Sequence, residues 1–129
     1  MKQYAIRGAT TIAKNETQDI KNESIELIKQ MMSVNDVQKN DCVYLKCSIT
    51  TDITRAHPAK FIRESGFIGE TPLFSCNEPE IENQLKLCIR LMLLIQKDDN
   101  ENFKANHIYL NGAKTLRPDL VKLLKEIVK

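Results

Sequence analysis

The chain has 129 residues, about one domain, long enough to bury roughly two-thirds of its unfolded surface without disulfides or metals, so a single domain over 1–129 is expected. Its 19 basic and 17 acidic side chains leave a net charge of +2, too small to advertise a polyanion, and the absence of Trp argues against a base-stacking surface; no nucleic-acid partner is expected. The longest apolar run, Leu91 to Ile95, falls far short of the ~20 residues of a membrane span, and Met1-Lys2-Gln3-Tyr4 lacks the apolar core of a signal peptide, so a cytoplasmic protein with no membrane partner is expected.

Tyr4 to Ala13 reads as a strand, because Ile6 and Ile12 flank the β-branched pair Thr10-Thr11, and Gly8 marks a bulge or a close backbone approach. From Asn15 the period changes. Asn15 as N-cap with Gln18 three residues on resembles a capping box, and Ile20, Ser24, Leu27, Ile28 and Met31 share one helical face that should end near Asn35-Asp36. Val43, Leu45, Cys47 and Ile49 alternate with Tyr44, Lys46 and Ser48, the period of a half-buried strand. Pro58 and Gly66 then bracket a short helix that carries Lys60, Ile62 and Arg63, and Thr71 to Cys76 returns as a strand. Gln84 to Gln96 is apolar in almost every phase, so a buried helix and a central strand both fit. As a strand it would place Cys88, Arg90, Met92 and Leu94 on one face and Leu87, Ile89, Leu91, Leu93 and Ile95 on the other. Lys97 to Asn106 reads as a loop, His107 to Leu116 as a strand interrupted at Asn111-Gly112, and Asp119 to Lys129 as an amphipathic C-terminal helix or tail. The order predicts an α+β fold, a mixed sheet with helices on one face.

Fourteen lysines but only five arginines are present, and the arginines occupy unusual settings. Arg7 lies inside a strand, Arg90 inside the most apolar segment, and Arg117 between Leu116 and Pro118. A buried guanidinium cannot shed its proton, so each needs a carboxylate, either from the protein, with Glu78 a candidate, or from a small anionic ligand. The four cysteines form no C-x-x-C pair and read as structural thiols, and His57 and His107 have no metal-ligand spacing, so no metal is expected.

Over roughly Ala5 to Leu120 the chain resembles the AroH-class chorismate mutases, on the segments Ile6-Arg7-Gly8-Ala9-Thr10-Thr11, Pro58-Ala59-Lys60 with Arg63-Glu64, Cys88-Ile89-Arg90, His107-Ile108-Tyr109-Leu110 and Leu116-Arg117-Pro118-Asp119-Leu120. The resemblance implies a mixed five-stranded sheet in each subunit of a homotrimer, assembled as a pseudo-α/β-barrel with active sites between subunits. It also favours a strand over Gln84 to Gln96. The implied activity is the cofactor-free rearrangement of chorismate to prephenate on the route to Phe and Tyr. Carried over residue by residue, it assigns Arg90 to the ether oxygen and a carboxylate, Arg7 and Tyr109 to the pyruvyl carboxylate, and Glu78 to the ring hydroxyl. Lys60, Arg63 and Arg117 would surround the site with positive charge, and His57, Ala59, Leu73, Phe74, Ser75 and Leu116 would form its walls.

The chain departs from the family pattern at four places. His57 stands where the family usually has Phe, and Ser75 where it usually has Cys, with Cys76 one place later, so either the hydroxyl replaces the thiol or the loop slips by one residue. Pro79 restricts the backbone that aims Glu78, and the loop before Asn106 is one residue longer than the pattern. Two rivals remain: a non-catalytic trimer that binds a small carboxylate metabolite, and an RNA-binding α+β domain, which the apolar setting of Arg7 and Arg90 disfavours.

Overall fold

The computed structural model describes residues 1–127. Five strands, β1 (Lys2–Thr11), β2 (Cys42–Ile49), β3 (Leu73–Asn77), β4 (Cys88–Lys97) and β5 (Ile108–Tyr109), form one mixed sheet in the order β3-β2-β4-β1-β5. β4 runs antiparallel to both β1 and β2, whereas β3 and β5 join the two edges in parallel. Three helices accompany it, α1 (Thr17–Val34), α2 (Pro58–Ser65) and α3 (Pro118–Ile127).

The ambiguous apolar segment is the central strand β4, paired along both edges. Its Ile89, Leu91, Leu93 and Ile95 are buried in one core with Ile6 of β1, Leu45 and Cys47 of β2, and Ile20, Leu27, Ile28 and Met31 of α1. α1 packs on β1 and α2 packs on α1, so both cover the same face of the sheet. α3 lies at the β5 edge, where Leu120 and Val121 join Leu116 against a smaller cluster of Ala9, Tyr109 and Ala113.

Gly8 is a point of close approach and not a bulge, because the β1–β4 register runs unbroken from Lys2 opposite Lys97 to Thr11 opposite Cys88. A Cβ there would collide with Met31 Sδ and come within 3.1 Å of Leu27 Cδ1. α2 begins at Pro58 and ends at Gly66, which adopts φ 79°, and His57 caps it by accepting the Ala59 N–H on Nδ1 at 3.3 Å.

Three of the departures from the sequence expectation have a specific physical cause. Glu16, not Asn15, precedes α1, because the Asn15 amide is engaged across the fold: its Oδ1 accepts from the N–H of Thr54 at 3.0 Å and its Nδ2 donates to Thr54 Oγ1 at 2.7 Å. Gln18 correspondingly bonds Asn22 rather than a capping residue. Only Ile108–Tyr109 of the expected strand from His107 to Leu116 is strand: Asn111 takes φ 52°, the Gly112 N–H bonds Thr11 Oγ1 at 2.9 Å, and residues Asn111–Thr115 coil as a 3₁₀ turn. Lys97, expected in the loop, ends β4 with its ammonium buried, donating to Asp36 O at 2.8 Å and Asp41 Oδ2 at 3.1 Å. The expected C-terminal helix is present to Ile127; residues 128–129 lie outside the described residues.

Candidate active site

The sheet face turned away from α1 and α2 carries the polar phase of each strand. Pairing sets two successive rows across it. In one row Tyr109 stands beside Ala9, Ala9 opposite Arg90, Arg90 opposite Ser48, and Ser48 beside Cys76. In the next, Arg7 stands opposite Met92, Met92 opposite Lys46, and Lys46 beside Phe74. Side chains one strand over and two residues along are diagonal neighbours within reach of a long side chain, so Arg7, Arg90 and Lys46 converge. They line a cavity of about 330 Å³ together with Ser48, Cys76, Glu78 and Tyr109. Three cations face one carboxylate there, a net charge of +2.

Glu78 follows β3 directly, and its N–H donates to Ile49 O at 3.0 Å, which fixes the backbone despite Pro79. Its Oε1 accepts from Ser48 Oγ at 2.8 Å and lies 2.9 Å from Arg90 Nε. That second contact is a charge pair with poor N–H alignment: Arg90 Nε, like the Tyr109 hydroxyl, is buried without a hydrogen-bond partner among the described residues. A buried polar group left unpaired costs about 1–3 kcal/mol, so the Tyr109 hydroxyl in this charged cavity favours a ligand that brings it a partner.

Arg7 is held through its backbone. Its N–H donates to Nδ1 of His107 at 2.9 Å, which requires a neutral imidazole with its proton on Nε2. Burial, then the charges of Arg7 and Arg117, hold the His107 pKa below the usual histidine range. The unfolded chain therefore binds this proton more readily, so the contribution of His107 to stability is full above about pH 6.5 and is lost as pH falls through the folded pKa. Urea midpoints between pH 7.5 and 5 should fall more steeply for the parent protein than for His107→Gln; parallel profiles would exclude this linkage.

Other residues expected at the site lie elsewhere in the single chain. His57, Ala59, Lys60 and Arg63 belong to the α2 segment in the helical layer, where His57, Lys60 and Arg63 are exposed and Ala59 is buried. Leu73 and Phe74 sit on the β3 edge strand, and Leu116 packs behind Tyr109. Arg117 is exposed and makes a two-pronged contact with Asp119 at 3.0 and 3.2 Å. Within one chain Ser75 pairs with Cys47 of the buried phase, while Cys76 pairs with Ser48 and lines the cavity. The pleat turns only one of these two adjacent residues toward the cavity of its own chain. Burial pushes the thiols of Cys47 and Cys88 up to about 12 and about 11, which keeps both protonated and unreactive at neutral pH.

Residues 3–120 match the family model for chorismate mutase type I. The chain belongs to the chorismate mutase type I family. It is 32% identical over 115 residues to chorismate mutase AroH of Bacillus subtilis (strain 168), which spans 89% of this chain and 90% of that protein. To chorismate mutase AroH of Thermus thermophilus it is 32% identical over 116 residues, 89% of this chain and 93% of that one. A solved chorismate mutase structure from Clostridium thermocellum matches with a TM-score of 0.77 at 35% identity, over 87% of this chain and 98% of that one.

Against this chorismate mutase type I background, sequence reasoning had not placed Lys46, Ser48 or His107 at the site. Strand alternation had already put Lys46 and Ser48 on the polar phase of β2. What it lacked was the register that sets Ser48 opposite Arg90 and Lys46 opposite Met92.

Proposed function

We propose that this protein is a chorismate mutase that rearranges chorismate to prephenate, for Phe and Tyr synthesis in the cytoplasm, at a site centred on Arg7, Glu78, Arg90 and Tyr109. The observation that carries the reading is the cavity itself: its net charge of +2 suits a dianion, and the buried Tyr109 hydroxyl on its wall has no hydrogen-bond partner among the described residues. The rearrangement is a concerted shift in which the ether C–O bond breaks as a C–C bond forms, with no atom gained or lost. Such a step needs no nucleophile or proton transfer. It needs a compact chair-like conformer and stabilisation of the negative charge that grows on the ether oxygen. In this reading Arg90 donates to that oxygen, Arg7 and Tyr109 hold the pyruvyl carboxylate, and Glu78 accepts from the ring hydroxyl. A millionfold acceleration corresponds to about 8 kcal/mol, a scale that one charged donor in a sheltered site plus conformational restriction can supply.

The same proposal includes a homotrimer. The open sheet face carries Tyr44, Phe74, Met92 and Leu94, with Phe74 68% exposed, an apolar band that further copies of the sheet would cover. α2 and β3 lie toward one edge of the sheet, with β5 and Tyr109 at the other. A ring of copies would bring the Arg63, Lys60, His57, Ala59, Leu73 and Phe74 region of one subunit to the Arg7 cavity of the next, with Leu116 and Arg117 bordering the cleft. No helix among the described residues is long and apolar enough to cross a membrane.

The test is loss of the diene absorbance of chorismate with purified protein. Loss orders of magnitude above the spontaneous rate, with a product of unchanged mass, is the expected result. Calorimetric binding of chorismate without acceleration would instead leave a carboxylate binder.

A further inference from the structure

The cavity contains a third cation to which the mechanism above gives no task. Lys46 on β2 stands opposite Met92, and Met92 stands opposite Arg7, so the two cationic residues flank one β4 residue from opposite sides. Strands lie about 4.8 Å apart, which sets the backbones of Arg7 and Lys46 about 9–10 Å from each other, with Arg90 two residues along β4 between them. The three positive groups thus form a triangle around one concavity.

Their pairing differs. Arg90 is within 2.9 Å of Glu78, whereas neither Arg7 nor Lys46 takes part in any ion pair among the described residues. An exposed strand lysine is ordinarily just solvated. Here, however, it lines the same cavity as Arg7 and Arg90 and raises the net charge that one chain presents there from +1 to +2. Chorismate carries two carboxylates, one on the pyruvyl ether and one on the ring. Arg7 and Tyr109 lie toward the β1–β5 side of the cavity, so a second anionic group directed to the opposite side meets β2.

We propose that Lys46 Nζ binds the ring carboxylate, so that the substrate is spanned between Arg7 and Lys46 with its ether oxygen at Arg90. This rests on the chorismate mutase reading and extends it to a substrate-binding residue on β2. Lys46 is exposed, and its ammonium is a point charge on a flexible stem. The carboxylate it holds keeps its charge throughout the rearrangement. Its contact is therefore equally strong in ground and transition states, and it acts on KM rather than on kcat.

Lys46→Gln should raise KM about tenfold with kcat within twofold of the parent, and Lys46→Arg should restore KM to within threefold. Lys21→Gln, which removes the same charge from an exposed position of α1, should change neither. The decisive measurement uses a bicyclic dicarboxylate mimic of the transition state and the same compound lacking the ring-derived carboxylate. Lys46→Gln should weaken inhibition by the first about tenfold and leave the second unchanged. Equal weakening of both, or of neither, overturns the proposal, as does a fall in kcat accompanied by loss of the assembly in light scattering, which would place Lys46 in a subunit contact. An inactive parent protein would sink the functional reading instead, and calorimetry with the two mimics would still report on Lys46.

Discussion

Replacement of Arg90 by lysine is expected to lower kcat by at least ~100-fold, the cost typical of removing one donor aimed at developing negative charge. Arg90 sits on the central strand, flanked by Ala9 and Ser48, and its side chain is 35% exposed. The guanidinium can face Glu78 and still direct planar N–H groups at a second acceptor. An ammonium has one centre, and Glu78 is the nearest carboxylate to claim it. The ether oxygen would then lose its donor while the site kept its charge. Because Glu78 keeps a cation and the residue lies on the open face rather than in the core, the urea midpoint should shift by less than the equivalent of ~1 kcal/mol. Steady-state kinetics and an unfolding curve on the same sample decide the matter. Near-normal turnover would remove Arg90 from the centre of the mechanism.

The contrast between Arg90 and Lys46 also marks what can be read from a sequence alone. Arg90 was legible because a guanidinium inside an apolar run is chemically out of place, whatever the fold. Lys46 was not, since a lysine in the polar phase of a half-buried strand is ordinary and gains meaning only from the strands beside it. The helix bounds at Pro58 and Gly66 were local matters of φ and missing N–H groups, and they appeared as expected. The start of α1 was decided by Thr54, 39 residues away, which takes the Asn15 side chain out of its local role. Similarly, the end of β5 was decided by Thr11, 101 residues away, which captures the Gly112 N–H. For β4, periodicity left helix and strand equally open, and the family resemblance supplied the choice. Ser75 and Cys76 show the same limit at its smallest scale, because a one-residue ambiguity in a period-two element exchanges the two faces.

A valine at Gly8 tests whether the core and the site are coupled through one backbone position. By propensity alone the change should help, since β-branched residues suit strands and Gly8 has no positive φ to protect. Sterics oppose it more strongly. A Cβ at this position would collide with Met31 Sδ and lie 3.1 Å from both Met31 Cγ and Leu27 Cδ1, and both side chains are fully buried with no open volume to retreat into. Propensity is worth at most about 1 kcal/mol, whereas overpacking a dense core costs about 1–3 kcal/mol, so Gly8→Val should destabilise by about 2 kcal/mol. The strain should also reach Arg7, the adjacent residue, whose N–H is held by His107, so KM should rise along with the loss of stability. Met31→Ala provides the control. Alone it should cost about 2–5 kcal/mol as a buried cavity, but in the Gly8→Val background part of that loss should be recovered, because the valine fills the space vacated. Strictly additive unfolding free energies would show that the cost of the valine does not arise from its contact with Met31, and that this packing does not couple the helix to the strand bearing Arg7.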